Sequence, residues 1–203
     1  MATRLTVFYS WQSDTPSSRN RGFIEKAILE ALKRLHSDAT LESALRDTTV
    51  ELDKDTQGVA GSPPIADTIF HKIEKCAVFV ADLTFVGESK PTLLNATEKA
   101  ENARQFPNPN VLIEYGYALR CHSHAKVIGI MNTAYGLPDA ESLPFNLRHL
   151  RRPIQYTTDT DKDTQFEKLT DVLKSAIGLI LSQHSSSVNV VEKSVLPGLS
   201  GVF

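Results

Sequence analysis

The sequence predicts an α/β fold, in which a central, mostly parallel five-stranded sheet is sandwiched between two helical layers. Three observations carry that expectation. Short β-branched runs alternate with helical periodicities along the chain, the pattern of strands joined by crossover helices. One run, AVFVADL from Ala77 to Leu83, is apolar almost throughout, as a strand buried on both faces must be. The 203 residues are 41% hydrophobic and 23% charged, enough apolar side chain for one sizeable core in one domain, with or without a tail.

Leu5 to Tyr9 reads as the first strand. Phe23, Ile24, Ala27, Ile28, Ala31, Leu32 and Leu35 recur at helical spacing with charged residues between them, an amphipathic helix of about four turns. Thr49 to Leu52 gives a short second strand, and the loop through Gly58, Gly61, Ser62, Pro63 and Pro64 leads into a helix whose inner stripe is Ile65, Ile69, Ile73 and Cys76. The third strand, Ala77 to Leu83, is followed by an inserted flap over 86–107 without clear period, where Leu93 to Arg104 has room for a turn or two of helix. A helix over Pro109 to His122, a strand over Lys126 to Met131, a strand over Pro153 to Tyr156 and a helix over Thr164 to Ser182 complete the domain, 1–182. In that last helix Phe166, Leu169, Leu173, Ala176, Ile177 and Ile180 share a face. The remainder, 183–203, reads as a tail that docks or stays flexible, because its serines suggest a linker and its apolar residues a contact.

Charge and cysteine content exclude several classes. With 22 Lys+Arg against 24 Asp+Glu the net charge is −2, which leaves no electrostatic footprint for duplex nucleic acid or an anionic membrane. Nothing approaches the ~20 apolar residues that span a bilayer, and the N-terminal MATRLTVFYSW reaches a strand rather than a cleavage site. Cys76 and Cys121 are too few for a disulfide framework and read as small buried hydrophobes of a cytoplasmic protein. His122 and His124 have no carboxylate in register, so no metal site is expected. GxGxxG and Walker patterns are absent, which argues against a dinucleotide redox domain or an NTPase.

In an open parallel sheet, ligands bind outside the carboxyl ends of the strands. Ser10, Trp11, Gln12, Ser13 and Asp14 follow the first strand, Asp53, Asp55 and Thr56 the second, and Asp82 and Thr84 the third. The segment NPNVLIEYGYAL adds Asn108, Asn110 and Glu114 at the same end. Asn108 is a good N-cap with Pro109 at the first helical position. Asn110 and Glu114 then lie on one helical face, with Tyr117 three residues on; Val111, Ile113 and Ala118 are left for packing, and Gly116 for a close approach to the sheet. A carboxylate in the second helical turn, near an apolar strand end, can stay ionised while partly desolvated. By spacing alone Glu114 reads first as a surface acid beside a capping Asn.

The strings VFYSWQSD, DKDTQGVAGSPPI, FVADLT and NPNVLIEYGYAL resemble bacterial TIR-like proteins, within the wider fold group that includes nucleoside 2-deoxyribosyltransferases. The likeness covers most of residues 3–180 and implies a flavodoxin-like three-layer sandwich. It also implies that Glu114, in the Asn-Val-x-x-Glu-x-Gly pattern, acts at the ribose carbon of a nucleotide. The first box and the long insertion before Asn108 depart from animal TIR domains.

The implied reaction is cleavage of the nicotinamide–ribose bond of NAD+, with NAD+ as substrate and no cofactor, and with ADP-ribose or a cyclised ADP-ribose-derived signal as product. The implied setting is cytoplasmic antiviral defence, with self-assembly or a companion sensor or effector as partner. One carboxylate suffices because the leaving nitrogen already carries positive charge, so no general acid is needed of the kind ordinary glycosidases use. Around Glu114 the substrate-binding candidates are Ser10, Trp11, Ser13, Asp14, Asp53, Asp82, Thr84, Asn110, Tyr117 and Arg148. Trp11 would stack on a ring or belong to the core; Ser13 and Asp14 would contact ribose or cap a helix; Asp82 would orient hydroxyls or cap a loop. Asn110 would hold Glu114 or touch the sugar. Arg148, with Arg151 and Arg152, would meet a pyrophosphate or form a solvated basic loop. Two alternatives stand beside this reading: a deoxyribosyltransferase or N-glycosidase using Glu114 as covalent nucleophile, and a non-catalytic nucleotide-binding or self-assembling module.

Overall fold

The computed structural model describes residues 3–38, 48–56, 58, 60–61, 64–89, 104–139 and 143–194. Its elements are β1 (Thr3–Ser10), α1 (Arg21–His36), β2 (Thr48–Asp53), α2 (Ile65–Lys75), β3 (Val78–Asp82), β4 (Phe85–Glu88), β5 (Gln105–Pro107), α3 (Pro109–His122), β6 (Val127–Asn132), α4 (Phe145–Arg148), β7 (Ile154–Tyr156) and α5 (Lys162–Ser194). Five strands form one sheet in the order β2-β1-β3-β6-β7, every neighbouring pair parallel. Counting only these five, the order is 2-1-3-4-5, which is the flavodoxin-like arrangement, and its topological switch point lies between β1 and β3.

Strand side chains alternate between faces with period two, and this divides the interior into two cores. Val7, Tyr9, Val50, Val78, Val80, Ile128 and Ile130 join the inner faces of α1 and α5. Phe8, Phe79, Ala81, Leu83 and Met131 join α2 and α3. In the first core the stripe from Phe23 to Leu35 is buried as its spacing predicts, together with Leu169, Leu173, Ile177 and Leu181 of α5. Arg34 fastens α1 to α5 through Glu167 at 2.8 Å and Asp171 at 2.9 Å, exposed pairs that each add little.

Several expectations change. Ile65 and Ile113 are 67% and 60% exposed, because each falls on the outer side of its helix once Ile73, Val111, Tyr115 and Ala118 have taken the inner side. Gly116 does not let α3 approach the sheet, since a Cβ there would meet open space. Cys121 is exposed while Cys76 is buried. Helix α5 continues to Ser194, into residues read above as tail: serines weaken a helix only slightly, and the next strong breakers, Pro197 and Gly198, come later. The flap is anchored by an antiparallel pair, Phe85 opposite Pro107 and Glu88 opposite Gln105; the helix turns expected from Leu93 onward fall outside the described residues. No helix among the described residues is long and apolar enough to cross a membrane.

Leu173 is wholly buried between α1 and the sheet. Truncation at such a site costs transfer energy and leaves a cavity. Leu173→Ala is expected to lower the unfolding free energy by ~3 kcal/mol in chemical denaturation, whereas Ile113→Ala should change it by less than about 0.5 kcal/mol.

Candidate functional site

Side-chain alternation decides what the strand ends present. Ser10 follows Phe8 by two residues, so it points to the α2/α3 face, where its Oγ donates to Glu114 Oε2 at 2.5 Å. Asp82 follows Val80 by two and points to the opposite face, beneath the start of α1. The two acids therefore stand on opposite sides of the sheet at its switch point.

Glu114 is carried by a helix whose start is well determined. Asn108 Oδ1 accepts from the backbone N–H of Asn110 at 2.9 Å and of Val111 at 3.3 Å, and Pro109 occupies the first turn, where its missing N–H costs nothing. Val111, Tyr115 and Ala118 bury one side of α3, which holds Glu114 half-buried at the end of β1. Asn108 Nδ2 also donates to Asp14 Oδ2 at 2.6 Å. The loop after β1 is folded around Gln12, whose Oε1 accepts from the N–H of Asp14 at 2.6 Å and of Thr15 at 3.1 Å. A ring thus closes: Ser10, Gln12, Asp14, Asn108, α3, Glu114 and back to Ser10.

Under that ring lies Asp82, with no exposed surface. It accepts from the Thr84 N–H at 3.1 Å, Gln12 Nε2 at 3.2 Å and Asn20 Nδ2 at 3.2 Å. Asn20 also donates to Thr84 Oγ1 at 2.7 Å and accepts from Asn132 Nδ2 at 3.2 Å. Burial pushes the Asp82 carboxyl up, and the bonds from Thr84, Asn20 and Gln12 pull it back. Burial raises the neighbouring Tyr9 and Tyr156 phenols, and the nearby Asp82 raises both further.

Above the β1 end, the Arg21 guanidinium stacks on the Trp11 ring, 4.4 Å from its centroid, a cation–π contact that fixes the indole plane. Among the described residues the buried Trp11 Nε1 has no hydrogen-bond partner; burial raises the Asp55 carboxyl, and the nearby indole lowers it. Asp55 sits at φ 49°, a left-handed turn that Asp tolerates. Its loop is pinned by Lys54 on Glu25 and Lys72 on Asp53, both at 2.6 Å. Burial pushes the Glu114 carboxyl above its ordinary value; the Ser10 hydroxyl draws it down, and nearby Asp55 pushes it further up.

Of the candidates read from the sequence, Ser10, Asp14 and Glu114 gather at this place, with Asn110 exposed two residues past the Asn108 cap and Ser13 exposed on the loop; Trp11, at the same strand end, packs on the α1 side against the first core. Asp82 and Thr84 are buried on the other face with their oxygens engaged. Asp53 is paired with Lys72. Tyr117 turns to α2, donating to Glu74 and lying 4.5 Å from the Phe70 ring. Arg148 lies in α4 with Nε on the Leu143 carbonyl at 2.8 Å. His122 Nε2 lies 2.6 Å from the Ile73 carbonyl. Sequence reasoning missed Asn20, Arg21 and the structural part of Gln12. Asn20 immediately precedes α1, which marks it as a cap, yet its side chain makes no cap bond and serves Asp82 instead.

No family model and no curated protein matches the chain. Among solved structures it is similar to the flavodoxin-like domain of a Synechococcus sp. protein, at 12% identity and a TM-score of 0.42 over 88% of this chain and 99% of that one. A diflavin flavoprotein A3 from Nostoc sp. follows at 15%, 0.41, 95% and 99%. A 2-desoxiribosyltransferase from Leishmania mexicana gives 14%, 0.37, 82% and 97%. The fold assignment itself rests on strand order and register.

A carboxyl whose folded value lies above its unfolded one opposes folding when ionised, fully so above the folded value and not at all below the unfolded one. Glu114→Gln removes that opposition, and its amide oxygen can still accept from Ser10. The variant is therefore expected to melt at a higher temperature than the native protein at neutral pH. The gap should close as pH falls to and below the ordinary glutamate range. A gap independent of pH would show that the carboxyl is not desolvated.

Proposed function

We propose that the chain is a TIR-like NAD+ glycohydrolase that cleaves the bond between nicotinamide and ribose. The observation that supports this most is the pairing of Ser10 and Glu114 at the carboxyl end of β1: a single, partly desolvated carboxylate held in place on a rigid, capped helix. A fixed negative charge is what a reaction with a cationic leaving group needs. The C1′–N1 bond breaks and its electron pair returns to the pyridinium nitrogen, so that nicotinamide leaves neutral. Positive charge develops at C1′ and the ring oxygen, opposite the Glu114 carboxylate. Water then adds at C1′ and gives a proton to Glu114, which passes it to solvent, leaving ADP-ribose.

Partial burial assists in a definite direction. In the free protein the Glu114 charge is poorly solvated, and a cationic riboside relieves that penalty, more so as the cation moves onto the sugar in the transition state. The Trp11 ring, braced by Arg21, is the aromatic surface at the same strand end and is suited to stacking on nicotinamide or adenine. The further setting, a cytoplasmic antiviral effector triggered by self-assembly or a companion protein, is supported by the sequence resemblance.

Concentrated protein incubated with NAD+ and analysed by chromatography should release nicotinamide, and Glu114→Gln should slow release by about two to three decades, the usual effect of losing one preorganised charge contact. Ser10→Ala, which leaves the carboxylate free to rotate, should cost about tenfold. The rate should fall on the acid side at a pH above the ordinary glutamate value, since burial raises Glu114. Equal release from the native protein and Glu114→Gln would remove the carboxylate from the reaction.

A further inference from the structure

The geometry points to a latch: the exposed hydrogen bond between Asp14 and Asn108 fastens the start of α3 to the loop after β1 and thereby trims the aim of Glu114, so that these two residues are positioning residues rather than substrate contacts. This rests on the reading of Glu114 as the catalytic carboxylate. Among the described residues, two side-chain bonds cross from the β1 loop to α3, Ser10 to Glu114 and Asn108 to Asp14. Val111, Tyr115 and Ala118 seat the body of α3 in the core, and the two bonds act on its first turns, one at the cap and one at the carboxylate. Their anchors are six residues apart, about 9 Å along the axis, so a displacement at the cap swings the carboxylate relative to Ser10.

The latch is built on a rigid base. Asp14 is not free to follow Asn108, because its N–H is held by Gln12 Oε1 at 2.6 Å. Gln12 is itself held by Thr15 Oγ1 at 2.6 Å and by buried Asp82 at 3.2 Å. On the other side, the Asn108 side chain has a divided role: its oxygen caps α3 through Asn110 and Val111, and its nitrogen reaches Asp14. Aspartate would keep the cap and lose the donor. Serine would keep a cap acceptor and be too short to span the gap.

The experiment exchanges the two residues. Asn108→Asp places a carboxylate against Asp14 and should break the latch while leaving α3 capped. Nicotinamide release should lose about tenfold in kcat with KM for NAD+ changed by less than about twofold, the signature of an interaction that counts in the transition state. Asn108→Ser should lose kcat similarly without adding charge. The double variant Asp14→Asn/Asn108→Asp restores the bond with donor and acceptor reversed and keeps the net charge, and it should recover kcat to within about threefold of the native protein. If single and double variants are equally slow, Asp14 serves some purpose other than the latch, and if Asn108→Asp and Asn108→Ser keep the native kcat the latch does not aim Glu114; either result overturns the proposal. A second measurement is independent of the reaction. The Asp14 and Thr15 amides should exchange hydrogen faster in Asn108→Asp and return to native protection in the exchanged pair. Absence of nicotinamide release from the native protein would defeat the functional reading alone, whereas unchanged exchange in Asn108→Asp would defeat the latch whatever the reaction.

Discussion

A carboxylate without exposed surface and with no cation among its hydrogen-bond partners is the constraint around which this strand end is organised. Asp82 must have its oxygens paired, because a buried polar group left unsatisfied costs ~1–3 kcal/mol, and more if it is charged. The donors that pair them come from two separate stretches of chain: the two ends of the loop between β1 and α1, Gln12 and Asn20, and the Thr84 backbone after β3. Asn132 at the end of β6 joins through Thr84 and Asn20, and Thr158 after β7 joins through Asn132. Solvating one side chain thus gathers the carboxyl ends of four of the five sheet strands into one polar network. The loop that faces Glu114 inherits its rigidity from that gathering.

The sheet then acts as a partition. Successive residues along β1 and β3 alternate between faces and residues two apart share one, so Ser10, in step with Phe8, serves the α3 side and Asp82, in step with Val80, the α1 side, although both end neighbouring strands. One acid is fully enclosed and saturated with donors; the other is half-buried and accepts from one hydroxyl. The same chemical group is enclosed and fully engaged on one face and left half-buried with one hydroxyl donor among the described residues on the other, and the difference is set by parity along two strands.

Much of the architecture was legible because the physics behind it is local. β-branched runs marked β1, β2, β3 and β6 within a residue or two, and the Asn108–Pro109 pair marked the start of α3. The hairpin of β4 and β5 was not legible, since strands as short as Phe85–Glu88 and Gln105–Pro107, with a glycine in one and a proline in the other, carry no periodicity to read. The exposure of Ile65 and Ile113 was hidden because spacing gives a stripe but not its centre. Within the site, strand ends identified Ser10, Asp14, Asp82 and Glu114 as neighbours, yet the role of each turned on register. Asp14 and Asn108 are 94 residues apart in sequence, and no local pattern announces their bond.

The pair β4 and β5 forms a two-stranded sheet of its own, separate from the five, and its close packing of Phe106 against Gly87 is internal to it. The register of that pair therefore sets no register in the five-stranded sheet, whose β1 ends on Ser10. The strand end that holds Ser10 against Glu114 and the short hairpin that follows β3 are thus two separately hydrogen-bonded pieces, and the strand pairing of one places no demand on the other.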